Sequence, residues 1–140
     1  MGDRKMTERG RLAQMFLVED ARGRLTGGGF PDELPFDPVR YFVLFDVPAG
    51  HARGEHAHRV CHQFFVALGG SVTVAIDDGA TTEEVVLDRP DAGLHVAPMV
   101  WTKLFNFTPG AMLLVLASDP YDAAEYIRSY EEFRLLRGRS

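Results

Sequence analysis

The segment 50–63, GHARGEHAHRVCHQ, contains four of the five histidines of the chain and its only cysteine. His56 and His58 are two residues apart, so in a β-strand both side chains would lie on the same face. Histidine is the side chain whose ordinary pKa lies closest to neutrality, and two imidazoles in a pocket could therefore act as acid and base. His62 follows four residues later and could complete a three-histidine site for a divalent metal. The spacing alone leaves both chemistries open.

The elements that would position these histidines are predicted to be strands. Segments rich in Val, Phe, Leu and Ile alternate with turns that contain Gly, Pro and Asp. Asp78-Gly79, between VTVAI and EEVVL, predicts a β-hairpin. Many short strands in a small chain favour an all-β fold, here a cupin-type double-sheet jelly roll. We expect a flexible N-terminus over residues 1–10 and a single cupin domain over 11–140.

The C-terminal segment DAAEYIRSYEEFRLLRG changes its period and predicts a short helix. Asp122 is the expected N-cap of this helix. Apolar residues at spacings of three and four would form the face that packs against the barrel: Ala123, Tyr126, Ile127, Tyr130, Phe133 and Leu136.

The composition excludes some classes of function. With 140 residues, a net charge of −5 and a pI near 5.5, the chain has no broad basic face for a nucleic acid. A single cysteine cannot form an intramolecular disulfide, which fits a reducing compartment. No basic and apolar leader is evident, and no apolar run approaches the length of about 18 residues that suggests a membrane span. We expect a cytoplasmic protein without a membrane partner.

The spacing around the histidine pair matches the first motif of the cupin superfamily, G-x5-H-x-H-x3/4-E-x6-G. Gly50, His56, His58 and Gly69 fall on it, with His62 at the position of the glutamate. In the second motif, Pro98 and Asn106 keep the spacing, but Thr102 stands where a metal-binding histidine is usual. Threonine is a poor ligand for zinc or iron, so this departure favours acid–base chemistry over a metal centre.

A more specific resemblance extends from about Arg22 to Phe133. The segments RGEHAHR, GSVTVAIDDG, VVLDRPDAGLHVAPMVW and, above all, LLVLASDPYDAAEYIRSYEEF are similar to those of the nucleotide-sugar 3,4-ketoisomerases of the WxcM-like cupin group. The resemblance implies conversion of a thymidine diphosphate (dTDP)-linked 4-keto-6-deoxyglucose to its 3-keto isomer through an enediol. It also implies that no metal or other cofactor is needed, and that two chains form a homodimer by exchanging N-terminal strands.

The same resemblance assigns roles to individual residues. It implies that His58 is the base at C3 and that His56 is an assisting acid or an orienting group. Arginine can bind two phosphate oxygens at once and suits the diphosphate. The residues predicted to bind the substrate are Arg53, Arg40, Arg22, Gln63, Trp101 and Thr102. Some relatives have tyrosine at the position of Phe42 and histidine at that of Thr102, so the C4 configuration of the product cannot be read from the sequence.

Two other functions remain open at this stage. The first is a metal-dependent cupin enzyme that uses His56, His58 and His62 as ligands. The second is a cupin that binds a sugar nucleotide without catalysis. His51 is expected in a solvated loop, His95 in a strand, and Cys61 in the protein interior.

Overall fold

The computed structural model describes residues 4–6 and 10–138. Within this part of the chain the strands are β1 (Arg4–Met6), β2 (Gly10–Gln14), β3 (Phe16–Asp20), β4 (Gly23–Gly27), β5 (Arg40–Phe45), β6 (Arg53–His58), β7 (Gln63–Gly69), β8 (Val72–Asp77), β9 (Thr82–Leu87), β10 (Ala92–Val96), β11 (Trp101–Phe105), β12 (Met112–Ala117) and β13 (Tyr126–Ile127). A 3₁₀ turn spans Ala123–Glu125 and the helix α1 spans Tyr130–Leu136. The predicted flexible segment 1–10 lies largely outside the described residues, apart from β1, which pairs with β2, and Gly10, where β2 begins.

The strands form two main antiparallel sheets, as the alternation of apolar segments and turns predicts. One sheet has the order β1-β2-β10-β7-β12-β5, and the other has the order β13-β6-β11-β8-β9. The predicted hairpin at Asp78-Gly79 joins β8 to β9, whose register aligns Asp77 with Thr82. The core lies between the sheets, since one buried cluster draws side chains from both, including Phe65, Val74, Ile76, Leu94, Leu113 and Val115. The predicted all-β jelly roll is confirmed.

The C-terminal segment is less helical than its period predicts. Asp122 caps the 3₁₀ turn, as expected of an N-cap, but the chain then extends as β13 and pairs with β6. Helix α1 begins only after Ser129, which caps it instead. The single predicted helix was wrong for its first half because β6 offers a sheet edge to Tyr126 and Ile127. No helix in the described residues is long and apolar enough to cross a membrane.

The β3–β4 hairpin projects from the two sheets. Its strands pair only with each other within the described part of the chain. Several of its apolar side chains are exposed: Phe16, Leu17, Val18 and Leu25. By contrast, β2 pairs with β10 of the same chain. The N-terminal segment is therefore paired within its own chain along β2, and its exposed apolar side chains lie in the hairpin.

Candidate active site

A bulge in β6 brings Arg53 and His56 to the same side of the sheet. Thr102 of β11 aligns with His56 and Leu104 aligns with Arg53, so two steps along β11 correspond to three along β6. Residues three apart in a regular strand would lie on opposite faces. Gly54 has a φ of +65° at this irregularity, and a Cβ there would approach the Leu104 side chain to 3.3 Å. Glycine meets both demands, because it tolerates positive φ and has no side chain.

The two histidines of β6 form a compact aromatic group with Tyr126 of β13. Their ring centres are 4.9 Å apart in an edge-to-face arrangement. The Tyr126 ring lies 5.0 Å from that of His56 and 4.4 Å from that of His58. Among the described residues, Nδ1 of His56 and Nε2 of His58 are buried without a hydrogen-bond partner. Buried polar atoms normally have partners, so these two nitrogens mark a place where a ligand could bind.

A cavity of about 180 Å³ opens beside this group. It holds four of the eight side chains that the sequence predicts for the site: His56, Arg53, Gln63 and Thr102. The other lining residues are Phe42, Leu44, Gly54, Phe65, Leu104 and Tyr126. His58 does not line the cavity. Its ring lies behind two residues that do, His56 and Tyr126, and contacts both. The wall thus combines apolar surface with a few convergent polar groups, as small-molecule sites usually do.

Thr102 supports β6 from within the cavity wall. Its side chain is buried, and its hydroxyl lies 3.1 Å from the carbonyl oxygen of Gly54 and 3.4 Å from that of His56. The hydroxyl can donate to either oxygen across the bulge, so it helps to fix the backbone that carries His56. A methyl-bearing residue at this position also leaves more room for a substrate than a histidine would.

Glu125 supplies a carboxylate partner to one member of the histidine pair, His58. One carboxylate oxygen lies 2.5 Å from Nδ1 of His58, and the side chains of His58 and Glu125 are only 5% and 10% exposed. The other oxygen accepts hydrogen bonds from the backbone N–H groups of Val60, at 2.7 Å, and Cys61, at 2.8 Å. The loop after β6 thus closes around the carboxylate.

The environment sets the charge states of these groups. Burial, with smaller contributions from the charges of His58 and Arg128, lowers the pKa of His56 to about 4. Burial also lowers the pKa of His58, although the bond and the charge of Glu125 oppose this effect. Burial by itself would raise the pKa of Glu125, but the hydrogen bonds from His58, Val60 and Cys61 bring it below its ordinary value. Near neutral pH, the arrangement is therefore two neutral imidazoles beside an ionised carboxylate.

The remaining predicted residues lie at different distances from the cavity. Arg40 stacks over the rings of Phe42, a lining residue, and Tyr121, and its Nε donates to the Asp119 carbonyl oxygen at 3.2 Å. Arg22 lies in the projecting hairpin, where its 90% exposed side chain is paired with Asp20. The structure therefore does not bring Arg22 to the cavity of its own chain.

Trp101 also lies outside the cavity. It precedes Thr102 in β11, and neighbouring residues of a strand point to opposite faces. Its ring packs at 5.3 Å from Tyr130 and 5.8 Å from Phe133. Trp101 therefore helps to hold the C-terminal helix against the sheet, and its contact with the substrate stays a prediction.

The three-histidine metal set is not assembled in the described residues. His62 lies on the outer face of the six-stranded sheet, where its Nδ1 is 3.0 Å from Nε2 of His95. A different group, His58, Cys61 and Glu125, places possible ligand atoms within 4.8 Å of one another. Both oxygens of Glu125 already accept hydrogen bonds there, two of them from backbone N–H groups. A cation would have to displace these bonds, so the hydrogen-bonded arrangement explains the group without a metal.

Sequence reasoning missed Glu125 and the position of Tyr126 in the cavity wall. Both belong to the SDPYDAAEYIRSYEEF tail, which carries much of the family resemblance. Glu125 is 67 positions from His58 in the chain. Only the pairing of β13 with β6 brings them together, and no local spacing reveals that pairing.

The chain is similar to proteins of a known family. Residues 8–138 match the family described as FdtA: WxcM-like, C-terminal. The chain is 40% identical over 117 residues to a TDP-4-oxo-6-deoxy-alpha-D-glucose-3,4-oxoisomerase of Aneurinibacillus thermoaerophilus, and the match covers 84% of each chain.

Solved structures give the same result. WlaRB, a TDP-quinovose 3,4-ketoisomerase of Campylobacter jejuni, is 38% identical with a TM-score of 0.88, over 92% of this chain and 99% of that one. A histidine-to-asparagine variant of the 3,4-ketoisomerase QdtA from Thermoanaerobacterium thermosaccharolyticum, in complex with TDP-4-keto-6-deoxyglucose, is 32% identical with a TM-score of 0.90, over 94% and 96% of the two chains. The chain therefore belongs to the FdtA family of WxcM-like C-terminal proteins, the 3,4-ketoisomerase family that its sequence resembles.

Proposed function

We propose that the protein converts TDP-4-keto-6-deoxyglucose to its 3-keto isomer by acid–base catalysis at His56 and His58. The names of the relatives support the reaction and the substrate class. The observation that carries the proposal for this chain is the neutral histidine pair, with two unpartnered buried nitrogens beside a polar and apolar cavity. A keto isomerisation needs groups that accept and donate protons, because one carbon loses a proton and its neighbour gains one.

The chemical step balances with two proton-transfer groups. A base removes the proton from C3, and the electron pair of that C–H bond forms a C3–C4 double bond while charge moves to the C4 oxygen. Protonation of that oxygen gives an enediol. Loss of the C3 hydroxyl proton and delivery of a proton to C4 then leave the carbonyl at C3. Imidazoles suit both directions of transfer near neutral pH.

The geometry favours His56 as the group that touches the sugar. His56 lines the cavity, whereas His58 does not, and the pKa of about 4 keeps His56 in its basic form. We therefore assign removal of the C3 proton to His56, which then protonates the C4 oxygen. His58, supported by Glu125, takes the C3 hydroxyl proton of the enediol and delivers it to C4. This division reverses the roles that the family resemblance implies, and substitution of each histidine decides between them.

The nucleotide would bind on the arginine side of the cavity. Arg53 lines the cavity, and Arg40 lies beside it on the face of Phe42. A diphosphate on an acidic protein needs such local positive charge, and a guanidinium can offer two donors to it. Gln63, buried in the cavity wall, is placed to hydrogen-bond the sugar or the nucleotide.

The functional unit that we propose is a homodimer. The exposed apolar side chains of the β3–β4 hairpin, and the lack of a further strand against it in the described residues, fit an element that lies against a second copy. Arg22 lies in this hairpin, so its predicted contact with the substrate would require the partner's cavity. The cytoplasm remains the location predicted from the sequence.

One experiment tests the reaction directly. The purified protein is incubated with TDP-4-keto-6-deoxyglucose in deuterated water, and the products are followed by NMR. We expect a 3-keto isomer with deuterium incorporated at the exchanging carbon, and unchanged turnover after a chelator. Loss of turnover on chelation that zinc, iron or manganese restores would favour the metal-dependent alternative. TDP binding without isomerisation or exchange would favour the non-catalytic one.

A further inference from the structure

The carboxylate of Glu125 is held by donors that cannot reverse their direction. The N–H groups of Val60 and Cys61 can only donate, and both point to the same oxygen, at 2.7 and 2.8 Å. The backbone carbonyl of Glu125 in turn accepts the N–H of Arg59 at 3.0 Å. Three consecutive residues after β6 therefore clamp one glutamate. The group at this position has to be an acceptor, and an ionised carboxylate satisfies that demand.

This clamp decides which nitrogen of His58 carries hydrogen. The second oxygen of Glu125 is also an acceptor and lies 2.5 Å from Nδ1 of His58. Nδ1 must then be the N–H donor, so a neutral His58 has its lone pair on Nε2. That Nε2 is the buried nitrogen without a partner among the described residues. The ring of His58 contacts those of His56 and Tyr126, which both line the cavity.

We propose that Glu125 is a positioning residue of the isomerase, which fixes His58 as the Nδ1–H tautomer and so keeps Nε2 available for proton transfer at the sugar. The inference rests on the proposed function and adds a residue to it. Glu125 also distinguishes the two histidines, because its carboxylate bonds to the ring of His58, whereas Nδ1 of His56 has no partner in the part of the chain that the structure describes. Nε2 of His58 thereby accepts a proton more readily than His56 does, as is required of the group that takes the C3 hydroxyl proton and passes it to C4.

The wild-type protein tests the tautomer without any substitution. Two-dimensional ¹H–¹⁵N NMR of ¹⁵N-histidine-labelled protein distinguishes Nδ1–H from Nε2–H imidazoles, and the His58→Asn spectrum identifies the His58 signals. We expect Nδ1–H for His58 near neutral pH. An Nε2–H tautomer would overturn the proposal, even if the protein isomerises the sugar. Nδ1–H in a protein that does not isomerise would uphold the positioning and refute the proposed function.

The variant Glu125→Gln makes the prediction sharper. The two backbone N–H groups should attract the amide oxygen of the glutamine, which turns its NH₂ group towards His58. Nδ1 must then accept, and the tautomer should invert to Nε2–H. We expect kcat to fall by about 10²-fold or more, the scale of removing an acid–base group or its orienting carboxylate, with TDP affinity changed by less than about 2-fold. The pH profile of kcat should also shift, since the carboxylate no longer supports protonation of His58.

Glu132→Gln is the matched control. Glu132 is an exposed carboxylate in α1, 3.4 Å from Arg59, and does not contact His58. We expect wild-type kcat and an unchanged His58 tautomer. If Glu125→Gln unfolds, Glu125→Asp keeps the charge with a shorter reach and should retain the Nδ1–H tautomer. A folded Glu125→Gln protein with wild-type kcat and an Nδ1–H His58 would overturn the proposal.

Discussion

The molecule contains two close histidine pairs that differ in almost every respect except proximity. His56 and His58 meet edge to face, and each keeps a buried nitrogen without a partner in the described residues. His62 and His95 stack with an angle of 8° between their rings, and a nitrogen of one is bonded to a nitrogen of the other at 3.0 Å. Phe36 lies about 6 Å from both rings of the second pair.

The difference shows what makes a histidine pair chemically useful. In the outer pair one of the two facing nitrogens donates and the other accepts, so each satisfies the other and their burial costs little. In the inner pair the partner is a carboxylate from a distant part of the chain, and the free nitrogens lie at a cavity. Clustering of histidines in a sequence therefore identifies candidates, while the partners of the ring nitrogens distinguish a site from a packed pair.

The largest expected effect comes from removing a histidine of the inner pair, with a histidine of the outer pair as the control. His56→Asn should lower kcat by about 10²–10⁴-fold, as loss of a general base does, and leave TDP affinity within about 2-fold. His95→Asn should leave kcat within about 2-fold, because it belongs to the outer pair. Steady-state kinetics and calorimetric TDP titration measure both quantities.

Deuterium exchange at C3 separates the roles of the inner pair. We expect His56→Asn to abolish exchange, while His58→Asn retains exchange and loses product, since the base remains and the proton donor is gone. The opposite pattern would assign the base to His58. A normal kcat in both variants would remove the inner pair from catalysis.

An intermediate effect is expected at the arginine of the inner cavity. Arg53→Ala should weaken TDP binding by about 1.5–3 kcal/mol, the scale of a hydrogen bond to a charged group, or roughly 10- to 100-fold. Arg53→Lys should recover only part, because an ammonium lacks the two-pronged geometry. Arg59→Ala, at an exposed arginine just beyond β6, is the control and should bind normally. Equal affinities in all three variants would place the diphosphate elsewhere.

The smallest expected effect is the pH dependence of stability from the outer pair. Burial, with the charges of His62 and Arg11, lowers the pKa of His95 to about 4 in the folded protein. Between that value and the ordinary pKa of about 6.5, the unfolded chain binds a proton that the folded chain does not. The free energy of unfolding should therefore fall as the pH falls from 6.5 to 4, by about 1–3 kcal/mol for this group.

Thermal or urea unfolding across this pH range measures the decline. His95→Gln should show a shallower decline than the wild type, whereas His51→Gln, in an exposed loop, should show the same decline. Parallel curves for the wild type and His95→Gln would mean that His95 titrates as it would in water.

Much of the fold follows from local sequence. The strands, the turn at Asp78-Gly79 and the antiparallel two-sheet arrangement follow from apolar alternation and turn residues. The C-terminal helix was mispredicted because Tyr126 and Ile127 fit either a helical face or a strand. Their pairing with His58 and Ala57 of β6 decides in favour of the strand. The spacing of apolar residues in the C-terminal segment cannot show that the edge of β6 is available for pairing.

The site is less predictable than the fold. It depends on which face of a strand each side chain lies on, and on contacts between residues that are far apart in the sequence. The spacing of His56 and His58 correctly predicts a pair on one side of a strand. Whether Arg53 joins them depends on a bulge marked in the sequence only by Gly54. Trp101 and Thr102 were both predicted to bind the substrate. Because they are adjacent in a strand, they lie on opposite faces, and of the two only Thr102 lines the cavity.

The closure of Glu125 on the β6 loop gives the protein a definite order of maturation. Both histidines are synthesised long before residues 123–127, so a nascent chain that ends earlier has the proton-transfer groups but not the carboxylate that orients one of them. Residues 123–127 are thus the segment that completes the proton-transfer site. We expect a protein that ends between β12 and β13 to keep most of its strand pairings and to lose activity, because it lacks the carboxylate that orients His58.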